Sequence, residues 1–245
     1  MRHIDWNVTA RLASPYVREY DEDRELTAWF LLDLSPSVDF GTVGAERLKR
    51  TALVEAVATL ARILTRHGNR VGAIFYGREV ERTIPARSGR DQVLRIIRDL
   101  DAQPRHLTAP MTDLAPLLRA ARRAMKRRSL VFVVSDFISL PGWERELELL
   151  GRRHEVIAIR VQDPRESTLP DLGPLLVQDA ETGEQLVVDT SDRAFRRRFA
   201  DAAEQREDDL RRAFGRTGTD AVALHTDEDL VRAIVRMAGR RRQRH

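Results

Sequence analysis

Residues 26–37, which read LTAWFLLDLSPS, contain the stretch that decides the fold. They open with a nearly continuous apolar run that ends at Asp33, and such a run is typical of a strand buried on both faces of a parallel sheet. Ser35 and Ser37 follow the acid at alternate positions. Because ligands collect at the carboxyl ends of the strands in open parallel sheets, this stretch predicts a central strand and a polar site directly after it.

Apolar runs with strand character alternate with helical patterns along the rest of the chain. The predicted strands of the sheet are residues 26–32, 71–76, 80–84, 130–134, 156–161 and 221–224. The predicted helices are residues 44–66, 88–100, 113–125, 143–151, 191–215 and 227–237. This order predicts one α/β domain with a doubly wound, mostly parallel sheet.

The α/β domain is expected to span residues 26–245, preceded by an N-terminal segment of residues 1–25. The stretch 163–190 contains several turn-forming sequences and lacks the alternating strand and helix patterns of its surroundings. It predicts an insertion that contains a β-hairpin, with strands at 175–178 and 185–188.

Two of the predicted helices carry apolar stripes that indicate their buried faces. In the helix 88–100, which Ser88 opens, the stripe consists of Val93, Leu94, Ile97 and Leu100. In the helix 191–215, which Ser191 or Asp192 caps, it consists of Phe195, Phe199, Ala202, Leu210 and Phe214.

The composition excludes several classes of protein. The chain has 245 residues, of which 42% are hydrophobic and 33% charged, as in soluble globular proteins. The lack of cysteine rules out disulfides, thiolate zinc sites, iron–sulfur clusters and a thiol nucleophile. No apolar run is long enough to span a membrane and the N-terminus has no signal-peptide pattern, so a cytoplasmic protein is expected. A net charge of +4 spread over 245 residues is too small to predict nucleic-acid binding. Only Lys49 and Lys126 are lysines among the 42 lysine and arginine residues.

Two further polar stretches occupy positions comparable to that of Asp33. Thr112 lies in the loop before a predicted helix, and Ser135 and Asp136 directly follow the predicted strand 130–134. Each stretch alone also fits a turn or a helix cap. Together, their order, spacing and strand-end positions resemble the metal-ion-dependent adhesion site of von Willebrand factor A-type domains.

This resemblance implies a site for a divalent metal ion, with a ligand set of Asp33, Ser35, Ser37, Thr112 and Asp136. The serines and the threonine would offer hydroxyl oxygens, and the two aspartates would act directly or through water. The chemistry suits Mg²⁺, a hard ion that prefers six oxygen ligands and usually keeps some waters. Neutral hydroxyls and two carboxylates leave the ion under-neutralised, so it can accept a carboxylate from another protein as its last ligand.

Seven short motifs also resemble the bacterial family called domain of unknown function 58. They are residues 4–6, 14–19, 23–26, 135–137, 153–156, 163–166 and 169–170. Members of that family resemble A-type domains and are commonly encoded beside a MoxR-type AAA+ ATPase, which the resemblance implies as a partner. In the family, further sequence precedes the Ile-Asp-Trp motif. Met1 is therefore either a misassigned start or the chain lacks the N-terminal module.

Enzyme motifs are absent or incomplete in the sequence. It has no GxSxG nucleophile elbow, no GxxxxGK[ST] phosphate loop and no GxGxxG. A strand-end Asp33 suits the nucleophile of a phosphohydrolase, but that chemistry needs an acid two residues later, where Ser35 stands. We therefore predict a non-enzymatic, metal-dependent interaction domain, an adaptor or co-chaperone that acts with the ATPase on a client protein. The alternative is an Mg²⁺-dependent phosphohydrolase that uses Asp33 and Asp136.

Overall fold

The computed structural model describes residues 3–4, 17–18, 26–39, 48–105, 110–179 and 182–242. Most of the N-terminal segment 1–25 and the first residues of the predicted helix 44–66 lie outside the described residues.

The described residues form one large sheet and two small ones. The large sheet contains β3 (Thr27–Asp33), β4 (Arg70–Tyr76), β5 (Val80–Arg87), β6 (Leu130–Ser135), β7 (Glu155–Gln162) and β10 (Asp220–His225). The small sheets pair β1 (His3–Ile4) with β2 (Val17–Arg18), and β8 (Pro174–Gln178) with β9 (Gln185–Asp189). The strand order of the large sheet is β10-β7-β6-β3-β4-β5, and only the β4–β5 pair is antiparallel. The predicted doubly wound, mostly parallel sheet is therefore confirmed.

Helices cover both faces of the large sheet. They are α1 (Lys49–Arg66), α2 (Arg90–Asp101), α3 (Ala115–Ala124), α4 (Trp143–Gly151), α5 (Arg193–Thr217) and α6 (Leu230–Arg242). The first core joins α1, α2 and α6 to one face, and the second joins α3, α4 and α5 to the other. Successive residues of β3 alternate between these cores, with Phe30 in the first and Leu31 in the second, which explains the continuous apolar run. In the described ranges, no helix combines the length and the apolar character needed to cross a membrane.

The β8–β9 hairpin stands apart from the large sheet, inside the predicted insertion. Its strands are antiparallel and place Leu176 opposite Val187, and both of these side chains are largely exposed. The base of the hairpin is tied to the domain by Thr190, whose backbone N–H donates to the carbonyl of Gly173 over 2.9 Å. Thr190 itself is fully buried.

The buried face of α2 differs from the predicted one. Leu94, which we expected inside, is 51% exposed, whereas Gln92 is buried. The side-chain amide of Gln92 donates to the carbonyls of Val71 and Pro85, each over 2.9 Å. These bonds satisfy a polar group inside the core, so the helix turns its Gln92 face, rather than its Leu94 face, toward the sheet.

The cap predicted for α2 was wrong, and one of the two alternatives for α5 is confirmed. Residue Gly89 precedes α2, and the helix has no side-chain cap, so Ser88 does not supply one. Asp192 caps α5, because its carboxylate accepts from the backbone N–H of Ala194 over 2.8 Å.

Only the second half of α5 is packed as its apolar stripe predicts. Leu210 and Phe214 are buried, but Ala202 is exposed, and Phe195 and Phe199 are only partly covered. The reason is length, since a helix of 25 residues is about 37 Å long and its neighbour α4, with 9 residues, only about 13 Å. The first half of α5 extends past the helix against which it packs.

Candidate functional site at the ends of β3 and β6

The candidate site lies at the point where the direction of winding changes. From β3 the chain continues to β4, which is the neighbouring strand on one side. It later returns to form β6, which is the neighbouring strand on the other side of β3. Connections therefore diverge at the carboxyl ends of β3 and β6, which is where open α/β sheets bind ligands. Asp33 is the last residue of β3, Ser135 is the last residue of β6, and Asp136 follows it.

Both oxygens of the Asp33 carboxylate are held by short hydrogen bonds. Oδ1 accepts from the backbone N–H of Ser35 over 3.0 Å, and Oδ2 accepts from the Ser135 hydroxyl over 2.6 Å. The Ser135 hydroxyl in turn accepts from the backbone N–H of Phe137 over 2.8 Å. Asp33 and Ser135 are fully buried, so this network fixes the two strand ends against each other.

The hydroxyl groups of Ser35 and Ser37 lie next to each other. Their Oγ atoms are 3.1 Å apart, and both residues are buried. A 3-10 turn over Pro36–Asp39 brings them together, and it begins with a bond from the Val38 N–H to the Ser35 carbonyl. The two serines thus form a pair of hydroxyl donors beside Asp33, as the sequence predicts.

Thr112 reaches the same edge of the sheet from a different loop. It is buried, and its carbonyl accepts from the backbone N–H of Leu140 over 2.8 Å and from the Ser139 hydroxyl over 3.1 Å. The next residue, Asp113, donates its backbone N–H to the Tyr76 hydroxyl, and Tyr76 pairs with Asp33 across β3 and β4. The structure therefore places Thr112 between the loop after β6 and the end of β4.

Asp136 is engaged by a residue that the sequence analysis did not consider. Its Oδ1 accepts from the Ile138 N–H over 3.0 Å, and its Oδ2 lies 2.8 Å from the ammonium of Lys49. The same ammonium lies 2.5 Å from Oε1 of Glu166. Lys49 is 0% exposed, so a buried cation bridges two carboxylates at this edge of the sheet.

The protonation of this cluster follows from burial and charge. Burial raises the pKa of Asp33, and the negative charge of Asp136 raises it further, so that it reaches about 7 although hydrogen bonds from Ser135 and Ser35 oppose the rise. Burial alone lowers the pKa of Lys49, but Asp136 and Glu166 outweigh burial, so its pKa is above the ordinary value. The site thus holds a permanent ammonium and one acid that ionises reluctantly.

Backbone strain is concentrated beside Asp136. Phe137 has a φ of +59°, and it is the one residue other than glycine with positive φ in the described part of the chain. Its ring packs against Trp143 and Phe214, with centroid distances of 5.3 Å and 5.0 Å. This aromatic anchor holds the chain in the left-handed conformation, at a cost of order 1–3 kcal/mol for such a residue.

Three residues that contact the candidate site, Lys49, Ser135 and Glu166, are not among the predicted ligands. Ser135 is the serine beside Asp136, and its role is to hold Asp33 rather than to face a ligand. One feature of the sequence does single out Lys49, which is one of only two lysines among the 42 lysine and arginine residues. A lysine fits where an arginine does not, since its compact ammonium can sit between two carboxylates in a closed space.

The donor set fits a hard divalent ion. The hydroxyls of Ser35 and Ser37 and the carboxylates of Asp33 and Asp136 are oxygen donors of the kind that Mg²⁺ prefers. Burial, and then the charge of Asp136, raise the pKa of Asp33, and a cation beside its carboxylate would favour the ionised form. Within the described ranges, no three histidine, cysteine, aspartate or glutamate side chains form a group that could hold a metal, so a metal at this edge would also need the hydroxyls as ligands.

The sheet order and its helical layers define a von Willebrand factor A-like α/β domain. An aerotolerance-related membrane protein of Bacteroides fragilis has a TM-score of 0.57 at 15% identity, covering 86% of this chain and 96% of that chain. The conserved hypothetical protein BatB of Bacteroides thetaiotaomicron has a TM-score of 0.54 at 15% identity, covering 87% and 99%. At this identity the likeness shows a shared fold and confirms the predicted one.

The sequence places the chain in a family. A family model described as protein of unknown function DUF58 matches residues 1–209, and the chain belongs to this family, as its short motifs predicted. The uncharacterized protein Rv1480 of Mycobacterium tuberculosis is 38% identical over 244 residues, which are 99% of this chain and 76% of that protein. The uncharacterized protein MAV169 of Mycobacterium avium is 39% identical over 160 residues, which are 65% of this chain and 94% of that protein.

Proposed function

We propose that this chain is a metal-dependent protein-interaction domain, an adaptor or co-chaperone for a MoxR-type AAA+ ATPase, and not an enzyme. The observation that supports the metal site is the meeting of the Asp33 and Asp136 carboxylates with the paired hydroxyls of Ser35 and Ser37 at one strand edge. These groups come from three separate stretches of the chain, at 33–37, 112 and 135–136, and in this proposal they offer hard oxygen donors at the crevice between β3 and β6.

In this proposal Asp33, Ser35, Ser37, Thr112 and Asp136 hold Mg²⁺. The bound ion supplies a positive centre that can accept a carboxylate from a client protein. The residues of the chain do the positioning: Ser135 and the Ser35 N–H fix the Asp33 carboxylate, and the 3-10 turn fixes the two serine hydroxyls. Such preorganisation lowers the entropy that binding would otherwise cost.

The ATPase partner rests on the family resemblance alone. Its role would be to supply the energy of ATP hydrolysis, while this domain recognises the client through the metal. A cytoplasmic location belongs to the same proposal, because the ATPase needs access to ATP.

The geometry argues against Asp33 as a phosphohydrolase nucleophile. Its carboxylate is fully buried, both of its oxygens already accept hydrogen bonds, and its pKa is raised to about 7. A nucleophile needs an ionised, accessible oxygen, and the general acid that should stand two residues later is Ser35.

The test compares the wild type with Thr112→Ala and Ser35→Ala in titrations with Mg²⁺ and Mn²⁺ by calorimetry. We expect metal binding in the wild type and a loss of at least tenfold in affinity in Ser35→Ala. The control Ser191→Ala should retain the affinity, because its hydroxyl is exposed at the turn after β9 and bonds to Asp189. A pulldown of the MoxR-type ATPase of the same organism should weaken with chelator and in Thr112→Ala, whereas Thr112→Ser should restore it.

Two results would contradict the proposal. Wild-type protein that binds no divalent metal at millimolar concentration would remove the adhesion-type site. Release of phosphate from phosphate esters with Mg²⁺, lost in Asp33→Asn, would replace the adaptor with an enzyme.

A further inference from the structure

A buried lysine, Lys49, contacts Asp136, the second carboxylate of the proposed metal site. Lys49 is the first residue of α1, and no part of its side chain is exposed. A cation in the first turn of a helix is unfavourable, because the helix dipole is positive at that end. Two carboxylates oppose this unfavourable dipole, since the ammonium of Lys49 lies 2.8 Å from Asp136 and 2.5 Å from Glu166.

These contacts engage both oxygens of Asp136, and one of them is with a full positive charge. Its Oδ2 binds Lys49, and its Oδ1 accepts from the Ile138 N–H. A divalent ion that uses Asp136, directly or through a water, would lie beside this buried ammonium, and the two positive charges would repel each other. The ammonium is the easier group to displace, because Lys49 keeps a second carboxylate in Glu166, whereas the Ile138 N–H belongs to the backbone.

We infer that Lys49 is a resident cation that competes with the divalent metal for Asp136, and that metal binding shifts Lys49 onto Glu166. The inference rests on the proposed function, since it assumes that the oxygens at the β3–β6 edge bind metal. Its new content is that the chain carries its own counter-ion for the site, which sets the metal concentration at which the site fills.

The position of Glu166 links this exchange to a second region of the fold. Glu166 closes the short turn Pro164–Glu166, where its Oε2 accepts from the Asp163 N–H over 3.2 Å. Asp163 and Glu166 together cap this turn. Oδ2 of Asp163 accepts from the hydroxyl of Thr226, directly after β10, over 3.1 Å. A change in the Lys49–Glu166 contact therefore acts on the turn from which the insertion 163–190 departs.

The first test measures Mg²⁺ affinity by calorimetry in the wild type, Lys49→Met and Lys126→Met. Lys126 is the matched control, because it is the other lysine of the chain and is exposed. We expect at least tenfold tighter binding in Lys49→Met and wild-type affinity in Lys126→Met. The double variant Lys49→Met/Glu166→Gln removes one charge of each sign, so it serves if the single variant does not fold, and it should also bind Mg²⁺ more tightly than the wild type.

The second test measures the link to the turn. The chain has no cysteine, so a fluorescent label on Ser167→Cys reports on that turn alone. Addition of Mg²⁺ should change the emission of this label, and the change should disappear in the Lys49→Met background. A label on Ser88→Cys, which follows β5 at the opposite edge of the sheet, should not respond.

The outcomes separate this inference from the proposed function. Equal Mg²⁺ affinity in the wild type and both Lys49 variants would overturn the competition and leave the metal-dependent adaptor intact. Binding that appears only when Lys49 is removed would support the competition and count against a metal-dependent role for the wild type. No binding in any variant would overturn both.

Discussion

Asp33 gives the stability of the protein a dependence on pH that most aspartates do not. Its pKa is raised from 3.8 to about 7 in the folded state, so between these values the folded protein holds a proton that the unfolded chain has lost. Protonation of Asp33 therefore stabilises the fold at low pH, and this contribution disappears as the pH rises through 7.

The prediction concerns Asp33→Asn, which fixes the side chain in an uncharged form. With chelator present, the free energy of unfolding of the wild type should fall relative to that of the variant between pH 4 and pH 7, because the unfolded wild type releases a proton that the folded protein keeps, and the variant has no such proton. Urea unfolding at several pH values measures the difference. The exposed Leu186→Ala, which changes no titratable group, is the control and should give a difference that does not vary with pH. Parallel profiles for wild type and Asp33→Asn would contradict a buried, neutral Asp33.

Single residues show where sequence reasoning succeeds and where it stops. The site residues that follow strands could be predicted, because Asp33 and Asp136 are marked by the apolar runs before them. Lys49 could not be placed, because its partners Asp136 and Glu166 are 87 and 117 positions away, and no periodicity connects residues at such distances. The strain at Phe137 was equally invisible, since a phenylalanine rarely signals positive φ.

At the scale of elements, the pairing of β4 with β5 depends on a glycine. A Cβ on Gly72 would lie 2.9 Å from the Ile84 carbonyl oxygen and 3.0 Å from the ring of Trp29. The backbone of β5 and a large indole both approach β4 here, so the position accepts only a hydrogen atom. One of the two shifts in register between β4 and β5 falls here, between Val71 and Ala73.

We predict opposite effects for two glycine-to-alanine changes. Gly72→Ala should destabilise the protein by about 1–3 kcal/mol, because neither the β5 backbone nor Trp29 can move away without cost. Gly215→Ala, on an exposed turn of α5 with no atom within 4 Å of the new Cβ, should stabilise it by up to about 1 kcal/mol. Chemical denaturation measures both. A neutral Gly72→Ala would mean that β5 is not tightly paired with β4.

Elements also show the limit of hydrophobic patterns. The existence and order of the helices and strands of the large sheet follow from apolar periodicity, which reports the average environment of a segment. The orientation of α2 about its own axis does not follow from this periodicity. Gln92 is buried and Leu94 is exposed, because the Gln92 amide forms two hydrogen bonds to carbonyls of β4 and β5. A pattern that counts glutamine as a surface residue cannot anticipate such bonds.

At the scale of the molecule, the β8–β9 hairpin is nearly independent of the core. Its apolar residues Leu176, Leu186 and Val187 are each more than 60% exposed, and its contact with the domain is concentrated at the base, in Val188 and Thr190. The hydrophobic contribution of this hairpin to global stability is therefore small, since little apolar area leaves water.

We predict the effect of a variant in which a two-residue Asn-Gly turn, which suits a tight hairpin, replaces residues 176–187. The melting temperature should stay within about 2–4 °C of the wild type, the change expected for about 1 kcal/mol in a protein of this size. Leu210→Ala is the contrast: it removes a buried side chain at the α5 contact and should cost about 2–5 kcal/mol. A large loss of stability on shortening the hairpin would show that it packs on a part of the chain outside the described residues.

Because the chain has only two lysines, the rate at which Lys49 is acylated can report how often the site opens. Lys126 is exposed and Lys49 is wholly enclosed, and these are the only side-chain amines that an acylating reagent can attack. Lys126 should acylate at the rate of a free amine, whereas Lys49 can react only during the moments when its contacts with Asp136 and Glu166 open. Mass spectrometry separates the two modified peptides, so the time course at Lys49 gives the opening frequency of the β3–β6 edge in the unmutated protein.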